Sequence, residues 1–245
     1  MAADEKMTFL DHLGELRKRV IRMSLALACA TGASLVFTPR ILALLLLPYG
    51  VPLKVIGPTE GVSMYLRIGL MCGAALSMPY LLFELWRFIA PALLPRERRF
   101  VYFLLPSAVA LFLGGVSFAW FIMIPAAIGF LANFRLGIFQ TEWTSQNYIP
   151  FVTSILFWIG ACFELPLVVF VLAKLRIVNA RLLLRGWRYS LVLICVVAAV
   201  VTPTVDPFNM MLVAIPLIGL YFLSILLAVF AQRERAVAAR KEKTS

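Results

Sequence analysis

"ACFELPLVVF", residues 161–170, places one carboxylate, Glu164, inside a run that is otherwise soluble in lipid. From Tyr148 to Ala173 no other residue is charged. On an ideal helix Glu164 lies roughly 15 Å from Lys174 at one end and roughly 24 Å from Tyr148 at the other. That is near mid-depth in about 30 Å of hydrocarbon. An acidic side chain there costs about 2.5–3.5 kcal/mol on insertion scales, so Glu164 is expected to face protein or a water-filled cavity. Pro166, two residues on, cannot donate to a carbonyl one turn earlier, which favours a kink and a concave surface. Two readings of Glu164 stay open. It is a structural glutamate bonded to another span, or a polar point in a pocket that receives another chain.

The rest of the chain agrees with a membrane setting. Of 245 residues, 62% are hydrophobic and 14% charged, whereas soluble domains are near half apolar and a quarter charged. Apolar runs between charged or Pro/Gly-rich breaks predict six spans, about 20–37, 64–89, 100–124, 149–173, 187–201 and 210–230. Little chain remains for a soluble domain, so residues 1–245 read as one all-α, polytopic membrane unit. The last two spans are expected to be short. Residues 187–201, "WRYSLVLICVVAAVV", reach roughly 22 Å before "TPTVDP" breaks them. Either this short helix is accommodated by local thinning of the bilayer, snorkelling of Trp187 and Arg188 or shelter among neighbours, or it starts near Leu182. The outer connections carry no GxSxG, HExxH or P-loop. No enzyme activity is expected, and any energy must come from a gradient or a partner.

The net charge of +11 is explained by where the charges fall. Nineteen of the 23 Lys and Arg lie in residues 1–22, 87–99, 174–188 and 233–243. The other four, Arg40, Lys54, Arg67 and Arg135, lie on the opposite side. The positive-inside rule then puts both termini in the cytoplasm, and an even number of spans agrees. Contact with anionic lipid head groups is a secondary expectation. No aromatic-interleaved basic patch accompanies the charge, so nucleic acid is not an expected partner. Cys29, Cys72, Cys162 and Cys195 fall in apolar spans without a close pair and read as buried thiols. His12 stands alone, and no metal or cofactor is expected. The start, "MAADEKMTFLDHLGELRKR", has no apolar core with a cleavage site, so it does not read as a secretory signal.

On the inner face, Thr8 and Asp11 fit a capping box, and Phe9, Leu13, Leu16 and Val20 share one helical face. Residues 1–19 are expected to lie amphipathically on the membrane and lead into the first span. Glu15 stands four residues before Arg19, which by itself is a solvated pair worth a few tenths of a kcal/mol. Glu97 sits among Arg96, Arg98 and Arg99, and by itself reads as part of a charged loop. Glu84 has Arg87 three residues on, and local pairing accounts for it. Residues 231–245 read as a basic cytoplasmic tail.

"HLGELRKR" (His12–Arg19), "FIAPALLPRERR" (Phe88–Arg99), "FELP" (Phe163–Pro166) and "TPTVDPFNMMLVAIP" (Thr202–Pro216) occur in this order and topology. Over about residues 7–230 the chain resembles the TatC family, the multi-span component of the twin-arginine protein translocase. The resemblance implies a non-enzymatic receptor in the bacterial inner membrane. Such a receptor binds Arg-Arg signal peptides of folded cargo and assembles with itself and with single-span subunits of the TatA/TatB type. Export would then be driven by the proton-motive force, without a cofactor. The resemblance also implies signal-peptide binding at Glu15, Phe88 and Glu97, an intramembrane polar site at Glu164, and partner contact at Thr202, Pro203, Asp206 and Met210. The chemistry is sensible: a carboxylate accepts a planar guanidinium in bidentate fashion, and lysine cannot reproduce this. Two departures stand out. Many members have Gln where this chain has Met210, and Glu where it has Phe222. The alternative is a secondary transporter with Glu164 as coupling carboxylate, but the echo of "FEL" at 83–85 and 163–165 is too short to count as a repeat.

Overall fold

The computed structural model describes residues 9–50, 53–89, 98–133, 143–175, 177–202 and 206–242. Every regular element among them is helical: α1 Phe9–Leu46, α2 Glu60–Ile89, α3 Arg98–Phe118, α4 Ile124–Asn133, α5 Ser145–Cys162, α6 Leu165–Lys174, α7 Ala180–Arg185, α8 Trp187–Val201 and α9 Pro207–Glu242. Among the described residues five stretches are long and apolar enough to cross a membrane: Gly14–Leu46, Glu60–Leu85, Leu105–Ala132, Ser145–Lys174 and Pro207–Gln232. The 15-residue α8 is apolar but shorter.

Several boundaries differ from those read off the sequence, each for a local reason. Of the segment expected to lie on the membrane surface, residues 9–19 are the start of one unbroken 38-residue helix, which also runs past Phe37. Pro39 withholds an N–H from the Leu35 carbonyl. The Tyr65 hydroxyl of α2 donates to that carbonyl at 2.7 Å, so the helix continues through the proline. The third span does not stop at Ile124. Residues Ala119–Met123 form a π turn in which the Ile124 N–H donates to Ala119 O, and α4 then carries the helix to Asn133. Pro125 falls in the first turn after this bulge, where a missing N–H costs little.

The fourth span is two helices, parted at Phe163 and Glu164, with Pro166 in the first turn of α6. The fifth does not begin near Leu182, because Gly186 separates α7 from α8. The last span is not short: its apolar stretch covers 26 residues, and the expected tail continues as helix to Glu242. The capping residue Thr8 lies outside the described residues.

The helices α1 and α2 run antiparallel, and two glycines set their distance. A Cβ on Gly69 would collide with Leu35 Cδ2, and one on Gly73 would lie only 2.5 Å from Thr31 Cα. Small residues four apart let two backbones approach closely in lipid, where no hydrophobic effect drives helices together. The Ser34 hydroxyl donates to the Gly69 carbonyl across this seam. The centre of the bundle is α5, whose Tyr148, Ile149, Phe151, Val152, Ile155 and Ile159 are all buried.

At the end of the bundle away from the start of α1, Glu60 ties the loop before α2 to the start of α5. One oxygen accepts the N–H groups of Ile56 (2.8 Å) and Gly57 (3.0 Å). The other accepts Gln146 N–H (2.9 Å) and the Ser145 hydroxyl. The Tyr148 hydroxyl donates to Leu45 O at 2.7 Å, beneath the packed rings of Tyr49 and Trp143. Of the four cysteines only Cys162 is buried. Cys29 and Cys195 are exposed on helix surfaces, contrary to the sequence reading.

Candidate functional site: the ionic cluster of α1 and α2

The antiparallel register of α1 and α2 brings Arg19, near the start of one, beside Glu84, near the end of the other. The Arg19 guanidinium donates to Glu84 Oε2 at 3.0 Å, to the Glu84 carbonyl at 3.2 Å, and to Glu15 Oε1. Its charge lies 6.0 Å above the Phe88 ring, within cation–π reach. Arg22 stands 3.7 Å from the other Glu84 oxygen, which also accepts from the Tyr80 hydroxyl at 3.1 Å. The expected local pair of Glu84 with Arg87 is therefore replaced by pairs with Arg19 and Arg22 of α1. Helix geometry explains this: the α1–α2 contact buries Glu84, while Arg87 stays exposed.

Two of the three residues expected to bind signal peptide, Glu15 and Phe88, thus meet around one guanidinium. Glu97 lies outside the described residues. The two carboxylates are not equivalent. The Glu15 side chain is 28% exposed, and that of Glu84 only 2%. Buried Arg19 and Glu84 are the members that sequence reasoning missed. A carboxylate inside an apolar run was the available signal, but its partner lies 65 positions away.

Glu164 occupies the joint between α5 and α6. Its carbonyl accepts the N–H groups of Leu167 and Val168, each at 3.0 Å, which starts α6. Its side chain is buried, and neither carboxylate oxygen has a hydrogen-bond partner among the described residues. The bonded structural glutamate of the first reading is not what the fold provides. Buried polar groups without partners are rare and call for an explanation.

At the other end of the bundle, Asp206 accepts from Asn209 N–H at 2.7 Å and from Asn209 Nδ2 at 2.8 Å, opening α9 ahead of Pro207. The buried Thr202 hydroxyl donates to Ala198 O at 2.9 Å and closes α8. Met210 packs partly buried against the central core. Pro203 lies outside the described residues. Thr202, Asp206 and Met210 thus flank the connection between α8 and α9, far along the chain from the α1–α2 cluster. No group of three or more metal-ligating side chains occurs among the described residues.

Comparison with known proteins gives one answer. The family model for the Sec-independent protein translocase protein (TatC) matches residues 11–216. The chain is 37% identical to the Sec-independent protein translocase protein TatC of Koribacter versatilis, over 89% of this chain and 84% of that protein. It is 35% identical to TatCd of Bacillus subtilis, over 95% and 96%. A crystal structure of the twin-arginine translocase receptor TatC superposes with a TM-score of 0.83 at 33% identity, covering 90% of this chain and 99% of that one. The chain therefore belongs to the TatC family of Sec-independent protein translocase proteins, membrane components of protein transport and not enzymes.

Proposed function

We propose that this chain is the receptor core of a twin-arginine translocase, a six-span bundle with both termini in the cytoplasm. On this reading it takes the paired arginines of a signal peptide at the α1–α2 mouth. The observation that carries the reading is the meeting of Glu15 and Phe88 around the guanidinium of Arg19. The mouth already holds the chemical group it is proposed to recognise. Glu15, the accessible carboxylate, is the acceptor that an incoming arginine reaches first. Arg19 stays held by Glu84 when Glu15 changes partner, so the exchange strands no buried charge. Phe88 supplies a ring face for the second guanidinium or an apolar surface for the signal's hydrophobic part. Glu97 provides the second carboxylate.

Glu164 then serves as the polar point that accepts from an arriving helix, either the signal hairpin or a single-span subunit of the TatA/TatB type. Thr202, Pro203, Asp206 and Met210 form the outer contact for those subunits, with Met210 giving packing where a polar handle is absent. The complex is oligomeric in this chain and driven by the proton-motive force. Family membership sets aside the solute-transporter reading.

The test is export of a reporter in cells lacking the endogenous subunit, with the signal peptide carrying Arg-Arg or Lys-Lys. Rescue of the Arg-Arg form alone, weakened by Glu15→Ala or Glu97→Ala, is expected. Equal rescue of both signals, or indifference to both substitutions, removes the reading. Crosslinks from positions 15 and 97 to the signal peptide give the direct check.

A further inference from the structure

The short helix α7 is seated on α9 through small residues. Ala180 packs with Ala173, Ala228 and Ala231, and the Tyr221 hydroxyl donates to Leu183 O at 2.7 Å. Beside this contact lies a cavity of about 730 Å³ lined by Asn179, Arg181, Leu182, Leu184, Arg185 and Gln232. Among the described residues its wall is rich in donors and holds no acid. Arg181 and Arg185 are one turn apart, a spacing at which like charges repel. Neither is ion-paired among the described residues. The Gln232 Nε2 is buried and has no acceptor among them. Two guanidinium forks and an amide NH₂ match the oxygens of a phosphate.

The surroundings point to the source of that phosphate. Leu182 and Leu184 are 59% and 52% exposed on the same wall, as an acyl chain would need. Next along the chain, the Arg188 guanidinium stacks 5.8 Å from the Trp187 ring. A Trp–Arg pair of this kind anchors at the membrane–water interface, which puts the cavity at headgroup level. Basic pockets between membrane helices are known lipid sites. We propose that this cavity binds the phosphodiester headgroup of an anionic phospholipid. Arg181 and Arg185 grip the phosphate oxygens, Gln232 donates from α9, and the acyl chains run along Leu182 and Leu184. The bound lipid neutralises the arginine pair and bridges α7 to α9.

Native mass spectrometry of the full chain, released from neutral detergent with added phosphatidylglycerol or phosphatidylcholine, tests this without any export step. It therefore succeeds or fails independently of signal recognition. Phosphatidylglycerol is expected to bind selectively. Arg181→Gln with Arg185→Gln should weaken its binding about twenty-five-fold, each charge contributing about five-fold. Gln232→Leu should weaken it less, while Arg188→Gln leaves it unchanged. Thermal midpoints without lipid report folding, and Gln232→Leu carries the test if the double variant does not fold. Equal binding of the two lipids, or wild-type affinity in both cavity variants, overturns the proposal. So does displacement of phosphatidylglycerol by millimolar inorganic phosphate, which marks a free-anion site.

Discussion

Replacing Glu84 by glutamine should loosen the bundle, whereas the same change at Glu15 should leave it standing and impair export. Arg19 and Glu84 are 6% and 2% exposed and lie 3.0 Å apart. Removing one partner of a buried ion pair costs about 3–5 kcal/mol. In Glu84→Gln the guanidinium keeps Glu15 and the Glu84 carbonyl at 3.2 Å, and the amide retains one acceptor oxygen. The expected loss is therefore smaller, about 2 kcal/mol. For a chain of this size that lowers the thermal midpoint by about 4–8 °C. Arg19→Met leaves Glu84 with only the more distant Arg22 and the Tyr80 hydroxyl, and should cost about 3 kcal/mol. The double variant removes both charges and should cost less than the sum by about 1.5–2 kcal/mol. Unfolding of the detergent-solubilised wild type, singles and double completes the cycle. Additivity within about 0.5 kcal/mol would refute the buried pair. Glu15→Gln changes a partly exposed ion pair and should cost under about 1 kcal/mol. If it unfolds the protein as readily as Glu84→Gln, the division into a holding and a receiving carboxylate fails.

Two further outcomes follow from packing and from the orphaned carboxylate. Gly73→Ala should destabilise by about 1–3 kcal/mol, because its Cβ meets the Thr31 backbone. Gly32→Ala, with open space around its Cβ, should be neutral or slightly stabilising, so the two thermal midpoints should move apart. Glu164→Leu removes two unsatisfied buried acceptors and should raise stability by about 1–3 kcal/mol while lowering the export rate. Normal export in that variant would refute a role for the Glu164 carboxylate in transport.

The two carboxylates at the mouth show where sequence reading reaches and where it stops. The Glu15–Arg19 pair was visible because one helical turn separates its members, and helix geometry alone places them together. The Arg19–Glu84 pair was not, because it depends on how far α1 slides along α2. Gly69 and Gly73 set that register, and only the assembled helices reveal it. Prolines gave the same lesson. The first and third spans were expected to end at residues 37 and 124, just short of Pro39 and Pro125, yet each proline lies within a continuing stretch. A tyrosine from another helix satisfies the carbonyl freed by the first, and a π turn absorbs the second. At Glu164 the expected kink is present, and Pro166 sits where its missing N–H predicted. That its carboxylate finds no donor among the described residues could be seen only once the neighbouring helices were in place.

Hydropathy sums over adjacent residues, so the sequence by itself determined a helical membrane chain and the approximate positions of its apolar runs. Family motifs likewise survive as short local strings. Tertiary structure decided which distant charges share a partner, which carboxylate faces outward, and which stays buried and unsatisfied. Those outcomes depend on the rotation and register of whole helices, which close packing sets and which no short window of sequence contains.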